Sequence, residues 1–412
     1  MKIALVTQVF WPETIFINDL VDELHNQGHS LKVLTGKPNY PGGDVFDGYV
    51  ADGIQEEFSH SNVRVFRIPI KPRKQGRAFQ LLSNYFSYCW NGIRYFPSSV
   101  RGESYDVVLA MGLSPITSVI PAIFLKRRLK TPLVIWVQDL WPESAVATGF
   151  VKNKGLVYLI GLLVRAIYLS ADLILVQSKA FVNPVGLYAD RKKIRYYGNS
   201  CKELPSGGEE HLPSHLGGIL QEYFCVTFAG NLGTAQALDT AVAAAKKYRH
   251  NDSFRLLLVG SGSALEGIKA ELVKLKLTNV ILPGRLAPEC MPELFRKSQA
   301  LLVSLTGAEL FTHTVPSKVQ AYLSAGRPIL ASLNGEGARI VVESGAGLAS
   351  PAGDSGELAK NFDTIYQMSI QERRRMGEAG KVYFLKHFEV KKQAARLVKL
   401  LEQQFGITGD AG

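Results

Sequence analysis

The sequence is poor in the residues that build disulfide frameworks and metal sites. Its 412 residues include only four cysteines and eight histidines. The cysteines are scattered without CxxC or His-paired spacing, at Cys89, Cys201, Cys225 and Cys290. Disulfide-stapled folds and structural zinc sites need such spacing, so neither is expected here, and a reducing compartment is favoured.

Long apolar runs are also missing. The longest helical one, at 156–169, contains Arg165 and falls short of the roughly 20 residues that span a bilayer. The opening residues MKIALVTQVF have the pattern of a strand and lack the cleavage site of a signal peptide. We therefore expect a soluble, cytoplasmic chain.

Positive charge is in excess and unevenly placed. The net charge is +11; residues 1–200 carry 23 Lys and Arg against 15 Asp and Glu, and residues 201–412 carry 24 against 21. A basic first half points to an anionic partner, which leaves a membrane surface, a polyphosphate lipid or a nucleic acid.

One segment, 71–96, concentrates this charge beside aromatic residues. Its basic residues are Lys71, Arg73, Lys74 and Arg77, with Arg94 further along. The helical pattern that follows has an apolar face of Leu82, Tyr85, Phe86, Cys89 and Trp90. Such a pairing suits an interfacial membrane contact, and a core helix after a basic loop is the alternative. No nucleic-acid-binding module surrounds the patch, so nucleic acid is not expected.

Two rounds of alternating strand and helix patterns fill the chain. The first begins with a buried strand at 3–9, a helix closed by Gly28 and a strand at 31–35, which is a parallel βαβ unit. The second opens at 224–229. Between the two rounds, residues rich in Gly, Pro, Ser and charge indicate a linker. The pattern and length predict an α/β chain of two domains.

The second round contains two glycine turns after predicted strands, at 230–233 (GNLG) and 260–262 (GSG). Backbone N–H groups in such turns can meet a pyrophosphate. Each motif alone is weak, because a tight turn without a ligand has the same pattern.

The most informative stretch is 306–335. A polar loop passes Pro316-Ser317-Lys318 and becomes a helical pattern that Gly326 fits as a C-cap, followed by a short buried strand. The start of a helix favours an anion, and a lysine in the first turn is disfavoured by the helix dipole. We therefore expect that some other interaction compensates for the unfavourable position of Lys318.

The segment PSKVQAYLSAGRPIL in that stretch resembles the donor-binding segment of retaining glycosyltransferases of family 4. The resemblance extends over nearly the whole chain and is strongest to the bacterial group that builds O-antigen, capsule and colanic acid, including N-acetyl-fucosamine transferase-like members. It implies the GT-B fold, in which two doubly wound Rossmann-like domains face a central cleft.

The resemblance also implies a division of labour along the chain. Residues 1–198 would form the acceptor-binding domain and 199–222 the linker. Residues 223–385 would bind the nucleotide-sugar, and 386–412 would form a C-terminal helix that crosses back to the first domain.

Site residues follow from matching positions. The sequence DLWPES, which follows a predicted strand at 132–138, is shared with O-antigen-type members at the place where others keep a histidine. The implied catalytic residues are Asp139, Glu143 and Lys318, although Asp139 as a helix cap is the structural alternative. Acceptor binding is implied for Glu13 and Thr14. Donor binding is implied for Gly230, Asn231, Leu232, Gly233, Gly260, Gly262, Arg285, Thr312, His313, Thr314, Val315, Pro316, Ser317, Lys318 and Gln320.

The chain departs from the family at its phosphate and sugar contacts. Asn231 and Gln236 stand where many members have Arg and Lys, and we expect Lys318 and Arg285 to supply the missing charge. Thr312 and Gln320 stand where the family has a Glu-x7-Glu pair. Gln320 would still bond the hydroxyls of a ribose, while Thr312, His313 or Glu309 would replace the first Glu.

The implied reaction transfers a sugar, with retention, from a nucleotide-diphosphate donor. UDP is the expected nucleotide, and an N-acetylated or deoxy sugar fits the subgroup. The expected acceptor is a polyprenyl-diphosphate-linked saccharide at the inner face of the cytoplasmic membrane. No metal or other cofactor is expected, because no DxD lies near the donor loop.

Other functions remain open from sequence. A GT-B nucleotide-sugar 2-epimerase would need more acids and histidines near the motifs. A dinucleotide-dependent oxidoreductase is disfavoured because the first strand lacks a following GxGxxG. A non-catalytic nucleotide-sugar-binding protein is the remaining alternative, given the replaced Glu pair.

Overall fold

A computed structural model describes residues 1–74, 78–147, 149–205, 207 and 211–407. The chain divides into two compact units: the first contains residues 1–200 and the chain from Val390 on, and the second contains Cys201–Glu389. Among the described residues, no helix is both long and apolar enough to cross a bilayer.

The first unit is built on an eight-stranded sheet in the order β3-β4-β2-β1-β5-β6-β7-β8. Only β3 runs antiparallel, against β4. The strands are β1 (Lys2–Val6), β2 (Ser30–Gly36), β3 (Gln55–Phe58), β4 (Arg64–Ile68), β5 (Val107–Gly112), β6 (Leu133–Val137), β7 (Leu173–Val176) and β8 (Ile194–Tyr196). The central strands are continuous apolar runs because helices cover both faces of a parallel sheet.

The helices of this unit lie on the two faces of the sheet. They are α1 (Phe16–Asn26), α2 (Ala78–Ser99), α3 (Ile120–Leu129), α4 (Glu143–Ala147), α5 (Lys154–Ser170) and α6 (Val182–Val185). Helices α2, α3, α5 and α6 share one core with the sheet, and α1 packs into the core of the other face. Strand order reverses between β1 and β5, and open α/β sheets bind ligands in the crevice at such a point.

The second unit has a six-stranded parallel sheet in the order β11-β10-β9-β12-β13-β14. Its strands are β9 (Phe224–Ala229), β10 (Phe254–Val259), β11 (Val280–Gly284), β12 (Ala300–Ser304), β13 (Ile329–Ser332) and β14 (Gly347–Ser350). The helices are α7 (Ser214–Glu222), α8 (Leu238–Ala245), α9 (Leu265–Leu275), α10 (Met291–Lys297), α11 (Glu309–His313), α12 (Ser317–Ala325), α13 (Glu336–Glu343), α14 (Ser355–Gln367) and α15 (Ile370–His387). Strand order reverses between β9 and β12. Two Rossmann-like α/β units confirm the predicted fold class.

The final helix, α16 (Val390–Phe405), belongs to the first unit. Leu397 and Leu401 are fully buried in the core that also contains α1. Tyr197 donates a hydrogen bond from its hydroxyl to the carbonyl of Gln393 at 2.9 Å. These contacts attach the last helix to α1 and to the segment that follows β8.

The domain limits differ from those predicted. Composition placed a linker at 199–222, but α7 lies inside it and buries Leu216 and Leu220 in the core of the second unit. The predicted limit at 385 falls within α15, which runs to His387. The Gly and Pro content indicated a boundary between units near residue 200, but it did not indicate helix α7 beside that boundary.

Helix α2 presents its predicted apolar face to solvent. Leu82, Phe86 and Trp90 are exposed, whereas Tyr85 and Cys89 are half-buried. The core side of the helix consists of Asn84, Ser87, Tyr88, Gly92 and Phe96. Exposure therefore argues against the core-helix alternative for that face. Arg77, part of the predicted basic cluster, lies outside the described residues.

Candidate functional site

Two glycine turns of the second unit pack against each other at the ends of neighbouring strands. Gly230 follows β9 with φ +138, and Gly260 follows β10 with φ +142. A Cβ at Gly260 would lie 1.8 Å from the carbonyl oxygen of Gly230. Only glycine permits this approach, so both turns need their glycines for backbone geometry.

Asn231 lies between two further glycines. An added Cβ at Gly233 would lie 2.8 Å from Asn231 Nδ2, and one at Gly262 would lie 2.5 Å from Asn231 Oδ1. The N–H of Leu232 bonds the carbonyl of Ser261 at 2.8 Å. The turns at 230–233 and 260–262 thus form one structural unit.

Lys318 places its ammonium beside these turns. Its Nζ lies 3.1 Å from Gln236 Oε1 and 4.9 Å from the centre of the Phe228 ring. An added Cβ at Gly230 would lie 2.7 Å from Lys318 Cε and 3.0 Å from Nζ. The structure therefore brings Lys318 to the first glycine turn.

The charge of Lys318 is not balanced within the described residues. Burial lowers its pKa below the ordinary lysine value. No carboxylate in the described part of the chain forms an ion pair with it, and an amide oxygen and a ring face supply only partial compensation. A half-buried cation at the start of a helix, facing glycine backbone, is an electrostatic environment that favours an anion.

The start of α12 is set by buried contacts further along the helix. Val319 and Leu323 are fully buried, and the Ala229 N–H donates to the Tyr322 hydroxyl at 3.1 Å. This bond ties α12 to the end of β9. Gly326 ends the helix with φ +65, as predicted, and β13 follows. Pro316 precedes the first turn and leaves it without a side-chain cap.

The predicted sugar-contact residues lie at the end of α11, in the loop that follows it, and in α12. Helix α11 ends at His313, and the Thr312 hydroxyl donates to the Glu309 carbonyl at 2.6 Å. The Thr312 backbone lies against Gly335, where an added Cβ would be 2.0 Å from the Thr312 oxygen. Thr314 is half-buried, whereas Val315 and Gln320 are buried, the latter in α12. Residues 312–316 therefore lie directly before the helix start that carries Lys318.

Arg285 is placed apart from Lys318. It is exposed after Gly284 at the end of β11, and β10 separates β11 from β9. Two strand spacings correspond to about 10 Å. The structure therefore assigns the contact with the first glycine turn to Lys318, and Arg285 lies at the outer edge of the sheet.

In the first unit, Asp139 follows β6 and holds the loop after β5. Its Oδ2 accepts the N–H of Ser114 at 2.9 Å, and the indole of Trp141 donates to Ser114 Oγ at 3.0 Å. Burial raises the pKa of Asp139, against the opposing effect of the Ser114 hydrogen bonds. A carboxylate with a raised pKa at the end of a parallel strand suits proton transfer.

Glu143 begins α4 close to two tyrosines. Burial raises the pKa of Tyr168, and the charges of Glu143 and Asp139 contribute to the shift. Glu143 also contributes to the raised pKa of Tyr188, which burial dominates. The structure thus brings both predicted carboxylates of the first unit to one end of β6.

Glu13 has a structural role that differs from the predicted acceptor contact. The residue is fully buried, and its carboxylate accepts the N–H groups of Phe10, Asn39 and Tyr40 at 3.1, 2.8 and 2.7 Å. These bonds join the loops after β1 and β2. The neighbouring Thr14 is exposed. Of the two predicted acceptor residues, only Thr14 therefore presents its side chain to solvent.

Sequence reasoning treated Gln236 only as a missing lysine. The structure gives it a role, because its amide oxygen holds the ammonium of Lys318. Gln138, directly after β6, was also overlooked; it is buried and its Oε1 accepts from Asn199 Nδ2 at 2.9 Å. The available signal was a polar residue at the end of an otherwise apolar strand.

Comparisons with known proteins match a separate family to each of the two units. Residues 14–199 match the family described as "Glycosyl transferase 4-like domain", and residues 224–368 match "Glycosyl transferases group 1". The probable glycosyltransferase WbjE of Pseudomonas aeruginosa is 26% identical over 287 residues, which cover 66% of this chain and 68% of WbjE.

Solved structures share the fold. Sucrose-phosphate synthase from Thermosynechococcus elongatus matches with a TM-score of 0.72 at 16% identity. The match covers 99% of this chain and 100% of the synthase chain. HepE from Anabaena in complex with UDP matches with a TM-score of 0.68 at 14% identity, covering 98% and 100%. At these identities the likeness establishes the architecture.

The contact between Gln236 and Lys318 can be tested with inorganic pyrophosphate as a probe. We expect Gln236→Glu to weaken pyrophosphate binding by roughly tenfold, because the new carboxylate would neutralise Lys318 and repel the anion. Gln236→Met, which adds no charge, serves as the control and should weaken binding less. Calorimetric titration measures both. Equal affinity of Gln236→Glu and the unmodified protein would show that Lys318 does not face the anion.

Proposed function

We propose a specific reaction for this chain. The chain is a glycosyltransferase that uses a nucleotide-sugar donor, and it combines a glycosyl transferase 4-like domain with a group 1 domain. It moves a sugar from a UDP-linked donor, with retained anomeric configuration, to a polyprenyl-diphosphate-linked saccharide. The observation that carries the proposal is the half-buried ammonium of Lys318 beside Gly230, without a carboxylate partner in the described part of the chain.

UDP as the nucleotide is supported by HepE, whose structures hold UDP, UDP with glucose, and UDP-glucose. The likeness to HepE is one of fold, so the support for the site comes from this chain's own residues. Thr312 and Gln320 replace the usual Glu pair, and we assign the choice of sugar to the stretch between them. An N-acetylated or deoxy sugar fits the subgroup that the sequence resembles.

Lys318 and nearby backbone N–H groups stabilise the leaving diphosphate. Negative charge accumulates on that group as the bond from the anomeric carbon to the phosphate oxygen breaks. The N–H of Gly233 has no hydrogen-bond partner among the described residues, and Lys318 lies beside the same turn. Preorganised donors of this kind act where charge develops. We propose that the reaction needs no metal, since these groups supply positive potential themselves.

Asp139 acts on the acceptor, with Glu143 as the second carboxylate. The acceptor hydroxyl oxygen forms the new bond on the face that the diphosphate leaves, and its proton passes to Asp139. The raised pKa of Asp139 makes it a stronger base than an ordinary aspartate. The departing phosphate assists the approach of the hydroxyl.

The acceptor class is supported by the surface of the first unit. Segment 71–96 carries exposed Lys71 and Lys74 and the exposed aromatic face of α2. Arg73 instead packs over Tyr40 and Tyr85, at 5.3 and 5.7 Å from the ring centres. A lipid-linked saccharide at the inner face of the cytoplasmic membrane, in the synthesis of bacterial surface polysaccharide, matches this basic and aromatic surface.

Lys318→Met tests the donor site directly. The methionine keeps the packing on Phe228 and removes the charge, so we expect UDP affinity to fall roughly 10- to 100-fold, the range for a lost charge-assisted hydrogen bond. Titration calorimetry gives the affinity, and thermal unfolding reports the fold. Lys274→Met, at an exposed position of α9, is the matched control. Unchanged UDP affinity in Lys318→Met would refute the assigned diphosphate contact.

Asp139→Asn tests the acceptor chemistry separately. Asparagine can still accept the Ser114 N–H, so the loop is preserved while the base is lost. Turnover should drop about 100- to 10,000-fold with donor affinity unchanged. Because the deprotonated form is required, wild-type activity should fall as pH drops through a pKa above that of ordinary aspartate, and Asp52→Asn should keep this profile. Normal turnover of Asp139→Asn would exclude the proton transfer.

A further inference from the structure

Helix α2 exposes a row of large apolar residues. Phe79, Leu82, Phe86 and Trp90 are 81%, 54%, 70% and 59% exposed. Their spacing of three or four residues puts them on one side of the helix. The rings of Phe86 and Trp90 stack at 6.4 Å with an interplanar angle of 11°. An apolar row of this length has no partner in the described part of the chain.

Helix α5 presents a second such face. Its outward apolar residues are Leu156, Tyr158, Leu159, Leu162, Leu163 and Leu169. The opposite side buries Val164, Ile167 and Tyr168 in the core. Helix α5 is therefore apolar on both its core side and its solvent side. Contiguous exposed apolar surface of this kind marks an interaction site.

Helix α3 connects the two faces. It contacts both α2 and α5, and all three pack on the same side of the first sheet. Phe124 is exposed on its outer side, with the guanidinium of Arg127 at 5.9 Å from the ring centre. The helices α2, α3 and α5 thus form one outer layer, which we call the three-helix face.

The charge of the three-helix face has a single sign. None of the three helices contains an Asp or a Glu. Exposed basic residues are distributed over it at Arg94, Arg127, Arg128, Lys154 and Arg165. Two copies of this chain that met through the face would bring like charges together, which disfavours self-association. An apolar surface with only positive charge complements an anionic phospholipid bilayer.

We infer that the three-helix face docks the first unit onto anionic membranes, with the exposed side chains of α2 and α5 at the acyl boundary and the basic residues at the headgroups. With 17 residues, helix α5 is too short to span a bilayer, so it would lie in the membrane plane. The inference rests on the proposed function in one respect: a lipid-linked acceptor would reach the protein at the same membrane surface. It extends the contact from segment 71–96 to α3 and α5.

Vesicle flotation of the full chain tests the inference. The probes are vesicles of phosphatidylcholine alone and vesicles of phosphatidylcholine with phosphatidylglycerol. We expect the unmodified protein to float with the anionic vesicles only, and less at high salt. Leu159→Ser with Leu162→Ser should reduce partition at least tenfold, and Arg127→Ser with Arg128→Ser should reduce it and lower the salt dependence. Val273→Ser with Val382→Ser, at exposed apolar positions of the second unit, is the control and should float normally.

Two results would overturn the inference. One is flotation of the Leu159→Ser/Leu162→Ser protein at the wild-type level. The other is concentration-dependent self-association of the unmodified protein that the same pair abolishes, which would assign the face to a second copy. UDP affinity is measured in parallel. If the Leu159→Ser/Leu162→Ser protein loses flotation but keeps normal UDP affinity, the result supports the docking surface alone. Lys318→Met is expected to lose UDP affinity and to float normally. The two measurements therefore distinguish a failure of the donor-site proposal from a failure of the membrane proposal.

Discussion

The second unit depends on one electrostatic fact, the placement of a positive charge in the first turn of α12. The helix dipole and burial both oppose an ammonium there, and burial lowers the pKa of Lys318 accordingly. Compensation comes only from the Gln236 amide and the Phe228 ring within the described residues. A protein tolerates such a cost where a ligand supplies the missing charge, and we propose that the diphosphate of the nucleotide is this ligand. The glycine turns at 230 and 260 bring backbone to the same place because no side chain stands between them.

We propose that this arrangement compensates for Asn231 and Gln236, which stand where the resembled family has Arg and Lys. Asn231 is held between Gly233 and Gly262, and Gln236 holds Lys318 instead of contacting phosphate as a cation. The cation is thereby positioned by one neutral amide, that of Gln236. On the first unit, burial raises the pKa of Asp139 at the end of a central strand, although the hydrogen bonds from Ser114 act to lower it.

Much of this was readable from sequence, for physical reasons. Buried parallel strands are continuous apolar runs, so the division into two α/β units and the helix from Ser317 to its cap at Gly326 were predicted correctly. The domain limits were not, because composition does not separate α7 from the loop before it. Periodicity shows that a helix has an apolar face but not whether the sheet covers it, and α5 is apolar on both sides. The structural role of Glu13 could not be read from sequence, because a buried carboxylate that accepts three backbone N–H groups has the same sequence signature as one that binds a ligand.

The central claim is that the diphosphate of a nucleotide is the counter-charge of Lys318. The most direct measurement is proton uptake on UDP binding in the alkaline range, where the phosphates are already fully ionised, from calorimetry in two buffers of different ionisation enthalpy. Because burial lowers the pKa of Lys318 and a bound diphosphate would raise it, the account predicts that the unmodified protein takes up a proton on binding and that Lys318→Arg, which stays charged, does not. Uptake of the same number of protons by Lys318→Arg, or none by the unmodified protein, would contradict it.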